Sequence, residues 1–549
     1  MRPVQGTGSH IWDVIVVGAG FSGLHATYRL RELGLSVLAL DVANDVGGTW
    51  FWNRYPGARC DIESVDYSLS YPPELQAEWD WTERYAAQPE ILRYLNFVAD
   101  RLDLRKHFRF ETHVESILLD DAASIWRIST SAGEAFAARY VIMASGVLSS
   151  PKKVDFPGLD DFGGQVLRTS SWPHEGVDLA GKRVAVIGTG STGVQAIPLI
   201  AETAAELLVL QRTANFSVPA RNRRLRPGEM DDERRSYPER RSISQQALAG
   251  MPEFPSHGSA LDYSDEQRQV IFEEAWAGGG GPRFIRVFND ISSDPVANET
   301  AAAFVRAKIQ SIVHDPATAR LLTPTDHPIG ARRLCLDSGY YETFNRPNVR
   351  LIDVREGPIV GFTATSLRTT KAEFDVDVIV LATGFDAVTG ALLSLDIRGR
   401  AGVALKSKWT DGPVGYLGIA MHGFPNLFMV VGPGSPSVLG NVVTSVEQHI
   451  GMITTAIGKA LEEGATSIEV SSDAETDWTR AAAERAKSML LASTRSWYNG
   501  GNIEGKPNVV LAYTGGVGKF REICDTEIAA GYPSFAFTPG RAPATSPDR

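Results

Sequence analysis

The sequence predicts an α/β fold in which two domains built on parallel sheets are nested and a helical segment is inserted. Two segments share one pattern: an apolar strand, a glycine-rich turn, a helix and a second strand. Each pattern is completed later in the chain by an apolar run that ends in small residues. A length of 549 residues also exceeds what one ordinary hydrophobic core supports, so two or three domains are expected.

The first of these segments lies near the N-terminus. It has a strand at Asp13–Val17, a glycine turn at 18–23, a helix to Leu33 and a strand at Ser36–Leu40. Gly34 follows the helix where glycine commonly ends one. The apolar run Tyr140–Gly146 is expected to add another strand to this unit.

The second segment repeats the pattern in the middle of the chain. A strand at Arg183–Ile187 leads into a glycine turn at 188–193, a helix to about Thr203 and a strand at Leu207–Leu210. The run Val378–Gly384 is expected to supply its closing strand. Strand, glycine turn, helix and strand form the βαβ unit of a Rossmann-like dinucleotide-binding domain, so two such domains are predicted.

The order of these runs predicts the domain division. Residues 1–146 and 385–549 would form the first domain, and residues 147–220 and 326–384 the second. Residues 221–325 contain charge clusters, a Gly278–Gly281 run and patchy helical periodicity, which predicts a helical insertion. The tail from Gly540 is rich in Pro, Ala, Ser and Arg and is expected to fray.

Composition excludes several classes of function. The chain is 43% apolar and 22% charged, as soluble globular proteins are. A net charge of −11 argues against nucleic-acid binding, which requires a basic surface. The sequence has no HExxH or Cys/His cluster that would indicate a metal, and no GxSxG motif of a hydrolase.

Other features predict a cytoplasmic protein. The three cysteines are far apart in sequence and no CxxC occurs, which favours a reducing compartment and argues against a dithiol reductase. Met1–His10 has no apolar core of a signal peptide. The longest uncharged stretch, Gly423–Val446, is broken by prolines and glycines, so no membrane span is expected.

The two glycine turns are predicted to bind the pyrophosphates of two dinucleotides. In each turn the first glycine permits a tight bend, the second admits the pyrophosphate, and the third allows close packing of helix and strand. The phosphates then lie at the N-terminus of the helix, where free N–H groups favour an anion. One such motif is weak evidence, but two between a strand and a helix are much stronger. The predicted contacts are Gly18, Gly20, Phe21, Ser22 and Gly23, and Gly188, Gly190, Ser191, Thr192 and Gly193.

The residue after each second strand indicates which nucleotide binds. Asp41 follows the first, and a carboxylate there accepts hydrogen bonds from ribose hydroxyls and repels a 2′-phosphate, which favours FAD or NAD. Arg212 and Thr213 follow the second, and an arginine suits the 2′-phosphate of NADPH. The alternative is that Arg212 is a surface arginine. Two different nucleotides imply a flavin that takes hydride from a nicotinamide.

A longer signature follows the first glycine turn. Residues 47–61 read GGTWFWNRYPGARCD, and the segment 162–173 contains Phe162, Gly164 and Trp172-Pro173. The chain resembles type I Baeyer–Villiger monooxygenases in these segments, most closely the phenylacetone and steroid monooxygenase branch. The resemblance extends over residues 12 to 537 and rests on several further stretches: Glu63, Ser64, Tyr67, and residues 330–335, 340–345, 432–437 and 502–506.

The resemblance implies an activity. Such enzymes use FAD and NADPH to form a flavin peroxide from O2, which inserts one oxygen atom beside a ketone carbonyl and yields an ester or lactone. Arg333 matches the catalytic arginine and Asp61 the carboxylate that positions it. Arg332 matches a residue that holds the 2′-phosphate, and Trp497 precedes a mobile loop that closes on NADP. Further positions matched to FAD are Gly48, Thr49, Trp50, Trp52, Asp61, Tyr67 and Val114.

The resemblance also suggests a substrate class and shows two departures. Val438 and Leu439 lie in a stretch similar to the aryl-ketone and steroid-ketone branch, which suggests a bulky or aryl ketone. Arg168 stands where the family has a histidine, and arginine cannot titrate near neutral pH. Asp41 stands where the family usually has glutamate, so the ribose contact could be shifted.

Two other functions and two other residue roles remain open at this stage. A flavin monooxygenase that oxidises nitrogen or sulfur would share both glycine turns without needing Arg333 and Asp61. A redox-sensing flavoprotein that transfers no oxygen is raised only by Arg168. Adjacent arginines can be solvated surface, and Trp50 and Trp52 can be plain core aromatics. The oligomeric state is expected to be a monomer or weak dimer.

Overall fold

The structure is a computed structural model that describes residues 10–539. The expectation for the tail from Gly540 lies outside the described residues, and so does the expectation for the N-terminus up to residue 9. None of the helices within that range combines the length and apolar character needed to span a bilayer.

Within residues 10–539, twenty strands form the sheets. In chain order, numbered β1 to β20, they are Ile11–Val17, Val37–Leu40, Phe108–Arg109, Val114–Asp120, Ile125–Thr130, Ala135–Met143, Gln165–Arg168, Arg183–Ile187, Glu206–Gln211, Ser217–Pro219, Cys335–Asp337, Val349–Asp353, Ile359–Phe362, Ser366–Thr369, Glu373–Asp375, Val378–Leu381, Asp396–Arg398, Leu427–Met429, Ala465–Val470 and Phe535–Pro539.

The described part of the chain also contains sixteen α-helices, in addition to short 3-10 turns. In chain order, numbered α1 to α16, they are Phe21–Glu32, Thr49–Trp52, Glu74–Glu78, Gln88–Arg101, Ser191–Thr203, Glu229–Gln246, Asp265–Gly278, Gly281–Ile285, Pro295–Ile312, Pro316–Leu322, Tyr340–Thr343, Gly390–Leu393, Leu405–Lys408, Val442–Glu463, Ser472–Ala486 and Val517–Ala529.

The larger sheet has eight strands in the order β17-β4-β5-β6-β1-β2-β3, with β18 also paired to β6. Strand β1 pairs in parallel with both β2 and β6, so the strand predicted at Tyr140 lies beside the first glycine turn. Strands β4, β5 and β6 pair antiparallel. Strands from residues 11–143 and 396–429 thus share one sheet.

The second sheet has five strands in the order β12-β9-β8-β16-β7, and all of its pairs are parallel. Its strands come from residues 165–211 and 349–381, between the two chain segments that build the larger sheet. Most of its strand residues are fully buried, as expected for a parallel sheet covered on both faces. The α/β class predicted from the sequence is confirmed.

The helices between residues 221 and 325 divide between two hydrophobic cores. Met230 and Tyr237 of α6 belong to the core that also contains Val14 and Val16 of β1. Helices α7 to α9 contribute their buried residues to the core of the five-stranded sheet. This segment therefore bridges the two cores.

Candidate active site

Asp61 and Arg333 form a bidentate ion pair. Nε of Arg333 donates to Oδ2 of Asp61 at 2.8 Å, and Nη2 lies 2.6 Å from Oδ1. Parallel bonds of this kind fix the plane of a guanidinium as well as its position. Asp61 is the last residue of the 47–61 signature. Arg333 lies just before β11, which pairs in parallel with β10.

Two further contacts hold Arg333. Its Nη1 donates to the carbonyl oxygen of Val438 at 2.6 Å, and Asn215 donates to the Arg333 carbonyl at 3.2 Å. Burial lowers the pKa of Arg333, but Asp61 and the neighbouring Tyr498 outweigh it, so the pKa is raised overall. The guanidinium is therefore a permanent, rigidly held cation.

A cavity of about 460 Å³ opens in front of this pair. Its wall includes Asp61, Arg333, Leu439 and Tyr498 together with residues of the 221–325 segment. Val438 offers its carbonyl to Arg333 rather than lining the cavity. A cavity of this size is in the range that encloses a small organic molecule.

The first glycine turn lies between β1 and α1. Gly18 has φ +121°, and a Cβ there would lie 2.3 Å from the carbonyl oxygen of Ala144. A Cβ on Gly23 would lie 1.9 Å from the Gly18 oxygen. The N-cap, Gly20, offers no side-chain cap, and no acidic residue lies in the first turn of α1. The helix N-terminus is thus free for an anion, so the turn fits a pyrophosphate.

Asp41 is turned toward this glycine turn. Its Oδ2 accepts from the Ala19 amide at 2.6 Å and its Oδ1 from the Ala43 amide at 2.7 Å. Burial raises the pKa of Asp41 although both amide bonds oppose the rise. Thr112, two residues before Val114, donates its amide to the Asp41 carbonyl at 2.8 Å. Each carboxylate oxygen keeps one lone pair for a ribose hydroxyl.

Aromatic residues pack beside the first glycine turn. Phe21 meets Tyr67 edge to face at 5.1 Å between ring centroids, and Tyr67 meets Trp50 in the same way at 5.9 Å. Trp50 donates from Nε1 to the Tyr67 hydroxyl at 3.3 Å and is nearly buried, whereas Trp52 is half-buried. Ser22 is also half-buried, and Thr49 is exposed. Gly48 crosses Gly20 so closely that a Cβ on it would lie 2.8 Å from the Gly20 Cα.

The second glycine turn differs from the first in that the space beside its middle glycine is open. A Cβ on Gly188 would lie 2.3 Å from the Ala382 oxygen, and one on Gly193 would lie 2.3 Å from the Gly188 oxygen. A Cβ on Gly190, in contrast, would meet nothing within 4 Å. The fold itself therefore does not require glycine at 190, whereas close approach of a pyrophosphate does. Helix α5 also begins without a side-chain cap or an acidic first turn.

A cationic cluster lies beside this turn. Arg212 is exposed and makes no hydrogen bond or ion pair with another described residue. Burial lowers the pKa of Arg332, Asp326 partly opposes this, and the positive charge of Arg212 lowers it further. Nε of Arg332 is buried and has no hydrogen-bond partner within residues 10–539. Burial, and then Arg212, also lowers the pKa of Lys152. Mutually repelling cations with an unfilled donor fit a phosphate. Thr213 contributes its carbonyl, which accepts from Thr189 at 3.1 Å.

Trp497 begins a short 3-10 helix, Trp497–Asn499, and packs on Ala387, Val388 and Leu511. Its ring centroid lies 4.5 Å from that of Tyr498. This segment is held by Lys152, which donates to the Asn502 carbonyl at 3.1 Å. It therefore joins the cationic cluster to the Arg333 side of the cavity.

Arg168 ends β7, which pairs with β16 of the five-stranded sheet. Its side chain is exposed, and it borders a very small cleft together with Lys152 and Phe385. The next residue, Thr169, anchors the segment by donating to the Leu381 carbonyl at 3.2 Å. The backbone of this segment is thus held without the Arg168 side chain.

The sequence did not single out three residues of this region. Tyr498 lies beside Arg333, and Lys152 and Arg286 line or border the cavities described here. The only signal for Tyr498 was its neighbour Trp497, and nothing in the spacing of the other two indicated a site. Within residues 10–539 no group of three or more His, Cys, Asp or Glu side chains could hold a metal ion.

Residues 15–232 match the family described as pyridine nucleotide-disulphide oxidoreductase. A Baeyer–Villiger monooxygenase of Pseudooceanicola batsensis is 41% identical over 526 residues, which cover 95% of this chain and 96% of that protein. Phenazine N-monooxygenase PhzNO1 of Lysobacter antibioticus is 43% identical over 523 residues, which cover 94% and 96%.

Solved structures agree with these relatives. A structure described as oxidized steroid monooxygenase bound to NADP has a TM-score of 0.93 and 49% identity, covering 97% of this chain and 100% of that one. One described as OTEMO in complex with FAD and NADP has a TM-score of 0.93 and 38% identity, covering 96% and 100%. The resemblance seen in the sequence is thereby confirmed. The chain belongs to the Baeyer–Villiger monooxygenases and is an FAD- and NADPH-dependent monooxygenase of that type.

Proposed function

We propose that this enzyme inserts one oxygen atom from O2 beside the carbonyl of a bulky or aryl ketone and releases an ester or lactone. The observation that carries this proposal is the Asp61–Arg333 pair at the wall of a cavity of about 460 Å³. Oxidation of nitrogen or sulfur needs no fixed cation at that place, whereas addition to a ketone does.

Arg333 has a defined chemical task in this reaction. Nucleophilic attack on a ketone develops negative charge on the carbonyl oxygen, and a preorganised cation stabilises that charge. A guanidinium remains protonated at every working pH, so it cannot quench the nucleophile by losing its own proton. The Arg333 guanidinium donates hydrogen bonds to Asp61 and to the Val438 carbonyl, so little reorganisation is needed when the substrate reacts.

We assign the first glycine turn, with Asp41, Val114 and the aromatic residues packed beside the turn, to FAD. We assign the second, with Arg212, Thr213 and Arg332, to NADPH. FAD supplies the redox chemistry that takes hydride from NADPH and activates oxygen. Both assigned sites lie at helix N-termini that have no side-chain cap. The sheets support a division into residues 1–146 with 385–549, residues 147–220 with 326–384, and a helical insertion at 221–325.

The substrate class follows from the cavity wall. Leu439 and other apolar residues, such as Met251, Phe288 and Leu491, line it and favour a hydrophobic ketone body. Its volume accommodates an aryl ring or fused rings.

The second candidate is N-oxidation, and one observation favours it: a phenazine N-monooxygenase is 43% identical over nearly the whole chain. Global identity does not separate the two activities, because the two relatives differ by only two percentage points. The position of Arg333 favours ketone oxidation.

The test is product analysis with the purified yellow protein, NADPH and heavy oxygen gas. Cyclic, aryl and steroid ketones are compared with phenazine and with thioethers. Esters or lactones that carry one heavy oxygen atom establish the proposal. Rapid oxidation of phenazine with every ketone untouched replaces it with the second candidate. NADPH consumption that no ketone or phenazine stimulates indicates a flavoprotein that transfers no oxygen.

We also propose that the protein acts in the cytoplasm as a monomer or weak dimer. All three cysteines are free and buried, which supports a compartment where thiols stay reduced. Light scattering across a range of protein concentrations tests the oligomeric state, and a dimer that persists at nanomolar concentration would overturn this part of the proposal.

A further inference from the structure

A second arginine lines the cavity that contains Arg333. Arg286 directly follows α8 and lies in the wall of the same cavity of about 460 Å³. Unlike Arg333, its guanidinium makes no hydrogen bond or ion pair with any other residue in the range 10–539. Arg286 is only half-buried, so its unpaired charge lies at the cavity wall, where a bound anion can reach it.

The charges around Arg286 leave it without a counter-ion. Four charged residues line the cavity: Asp61, Glu253, Arg286 and Arg333. Asp61 is committed to Arg333 by two bonds. Glu253 accepts the amide of Leu248 at 2.8 Å and forms no ion pair with Arg286. Burial lowers the pKa of Arg286, and the charge of Glu253 only partly opposes that effect.

The same wall carries other polar groups. Ser256, Asn289, Ser292 and Ser293 line it together with Arg286. A wholly hydrophobic ketone would displace water from the guanidinium of Arg286 and offer its N–H donors no acceptor. A substrate with an acidic group would satisfy them, since a guanidinium matches a carboxylate with two parallel bonds.

We propose that Arg286 binds a carboxylate of the substrate, so that the ketone oxidised here is a keto acid. This rests on the proposed ketone oxidation. Arg286 would hold the acid end of the molecule while Arg333 faces the reacting carbonyl. A cavity of about 460 Å³ has room for a ring that carries a carboxylate.

The test uses pairs of ketones that differ only in charge: 4-acetylbenzoate with 4-acetylbenzamide, and 4-oxocyclohexanecarboxylate with its amide. The complete enzyme with FAD and NADPH is expected to prefer each acid. Arg286→Met should lower kcat/KM for the acids by about 10- to 100-fold, the usual effect of losing a charged hydrogen bond, and leave the amides within about threefold. Arg286→Lys should retain part of the preference.

The matched control is Arg283→Met. Arg283 lies three residues earlier, has its guanidinium 4.5 Å above the ring of Phe254, and borders the adjacent cavity instead. This change removes the same net charge and should leave the preference for acids intact. Equal losses for acids and amides in Arg286→Met, or no loss for either, would overturn the proposal.

A second readout is independent of oxygen transfer. Cyclohexanecarboxylate and cyclohexanecarboxamide contain no ketone, and their binding to the complete enzyme with NADP+ can be followed by calorimetry. We expect only the acid to bind in a way that depends on Arg286. If that holds but no ketone yields an ester, ketone oxidation fails and the anion site stands. If ketone amides are oxidised as well as acids, the anion site fails and ketone oxidation stands.

Discussion

The hydroxyl of Tyr55 donates a hydrogen bond of 2.8 Å to Oε1 of Gln195, which lies on α5. The backbone of Gln195 also lies against Gly57, where a Cβ would be 2.3 Å from its carbonyl oxygen. The 47–61 signature therefore packs on the helix that begins at the second glycine turn. Hydride transfer between two nucleotides requires their reactive ends to be held in one geometry, and this contact joins the two turns.

Gly57→Ala should disturb this joint. Gly57 has φ +84°, and its Cβ would collide with backbone rather than a movable side chain. We expect a loss of about 2–4 kcal/mol in stability, from overpacking and strain together. Slower flavin reduction by NADPH is also expected. Chemical denaturation and stopped-flow absorbance measure the two effects.

Gly133→Ala is the control for Gly57→Ala. Gly133 has a similar φ of +78° but nothing within 4 Å of its Cβ position, so this change carries the backbone strain without the collision. Equal effects of the two changes would mean that the contact with Gln195 is unimportant. Tyr55→Phe, which removes only the hydrogen bond, should cost about 1 kcal/mol.

Arg333→Ala should separate the two half-reactions. The glycine turns do not involve its side chain, so FAD binding and flavin reduction by NADPH should persist. Ester formation should fall by at least about 10²–10³-fold, because the cation that stabilises developing charge is gone. Stopped-flow absorbance and product chromatography measure these steps. Ester yields near those of the wild type would refute the role of Arg333.

Asp61→Asn should act in the same direction but less completely. The amide keeps the shape and one acceptor, while the charge that holds Arg333 is removed. A loss of ester formation with intact flavin reduction, smaller than that of Arg333→Ala, is the expected pattern. Loss of FAD binding instead would assign Asp61 to the cofactor rather than to Arg333.

Arg212→Ala should weaken NADPH much more than NADH, since only NADPH carries the 2′-phosphate. Loss of charge-assisted bonds corresponds to about a 10- to 100-fold rise in the dissociation constant for NADPH. Fluorescence titration with both nucleotides measures it. Arg127→Ala removes an exposed arginine paired with Asp120 and should change neither affinity. Equal weakening of both nucleotides by Arg212→Ala would mean that Arg212 does not read the phosphate.

His449 should contribute to acid sensitivity. Its Nδ1 accepts from the Val431 amide at 2.9 Å, and burial lowers its pKa to about 3. The unfolded chain takes up a proton near pH 6.5 that the folded protein cannot accept, so stability falls as pH drops from 6.5 toward 3. The slope from one such group is about 1.4 kcal/mol per pH unit.

His449→Asn tests this contribution, because the asparagine oxygen can still accept from Val431 but does not titrate. Melting temperatures between pH 7.5 and 4.5 should decline less steeply in the variant than in the wild type. The absolute stability at pH 7.5 is expected to be lower, since the smaller side chain leaves space beside Phe520. Parallel slopes would exclude His449 as a source of acid sensitivity.

Local sequence was sufficient to predict both glycine turns. Strand, turn and helix are contiguous there, and Gly18 and Gly188 are required because the adjoining strand leaves no room for a Cβ. The predicted helix and strand limits agree with the structure to within one or two residues around these turns. The helices of 221–325 were predicted only as a class, because their packing on two cores has no local signature.

The sequence was much less informative about the side chains that line the cavity. Asp61 and Arg333 are 272 residues apart in sequence, and only the resemblance of two short motifs linked them. Tyr498 and Arg286 have no motif of their own. Sequence by itself therefore determined the two nucleotide-binding turns and the class of enzyme. Tertiary structure alone decided which side chains line the cavity, because distant segments meet there and pair Arg333 with Asp61 while Arg286 has no ion-pair partner among the described residues.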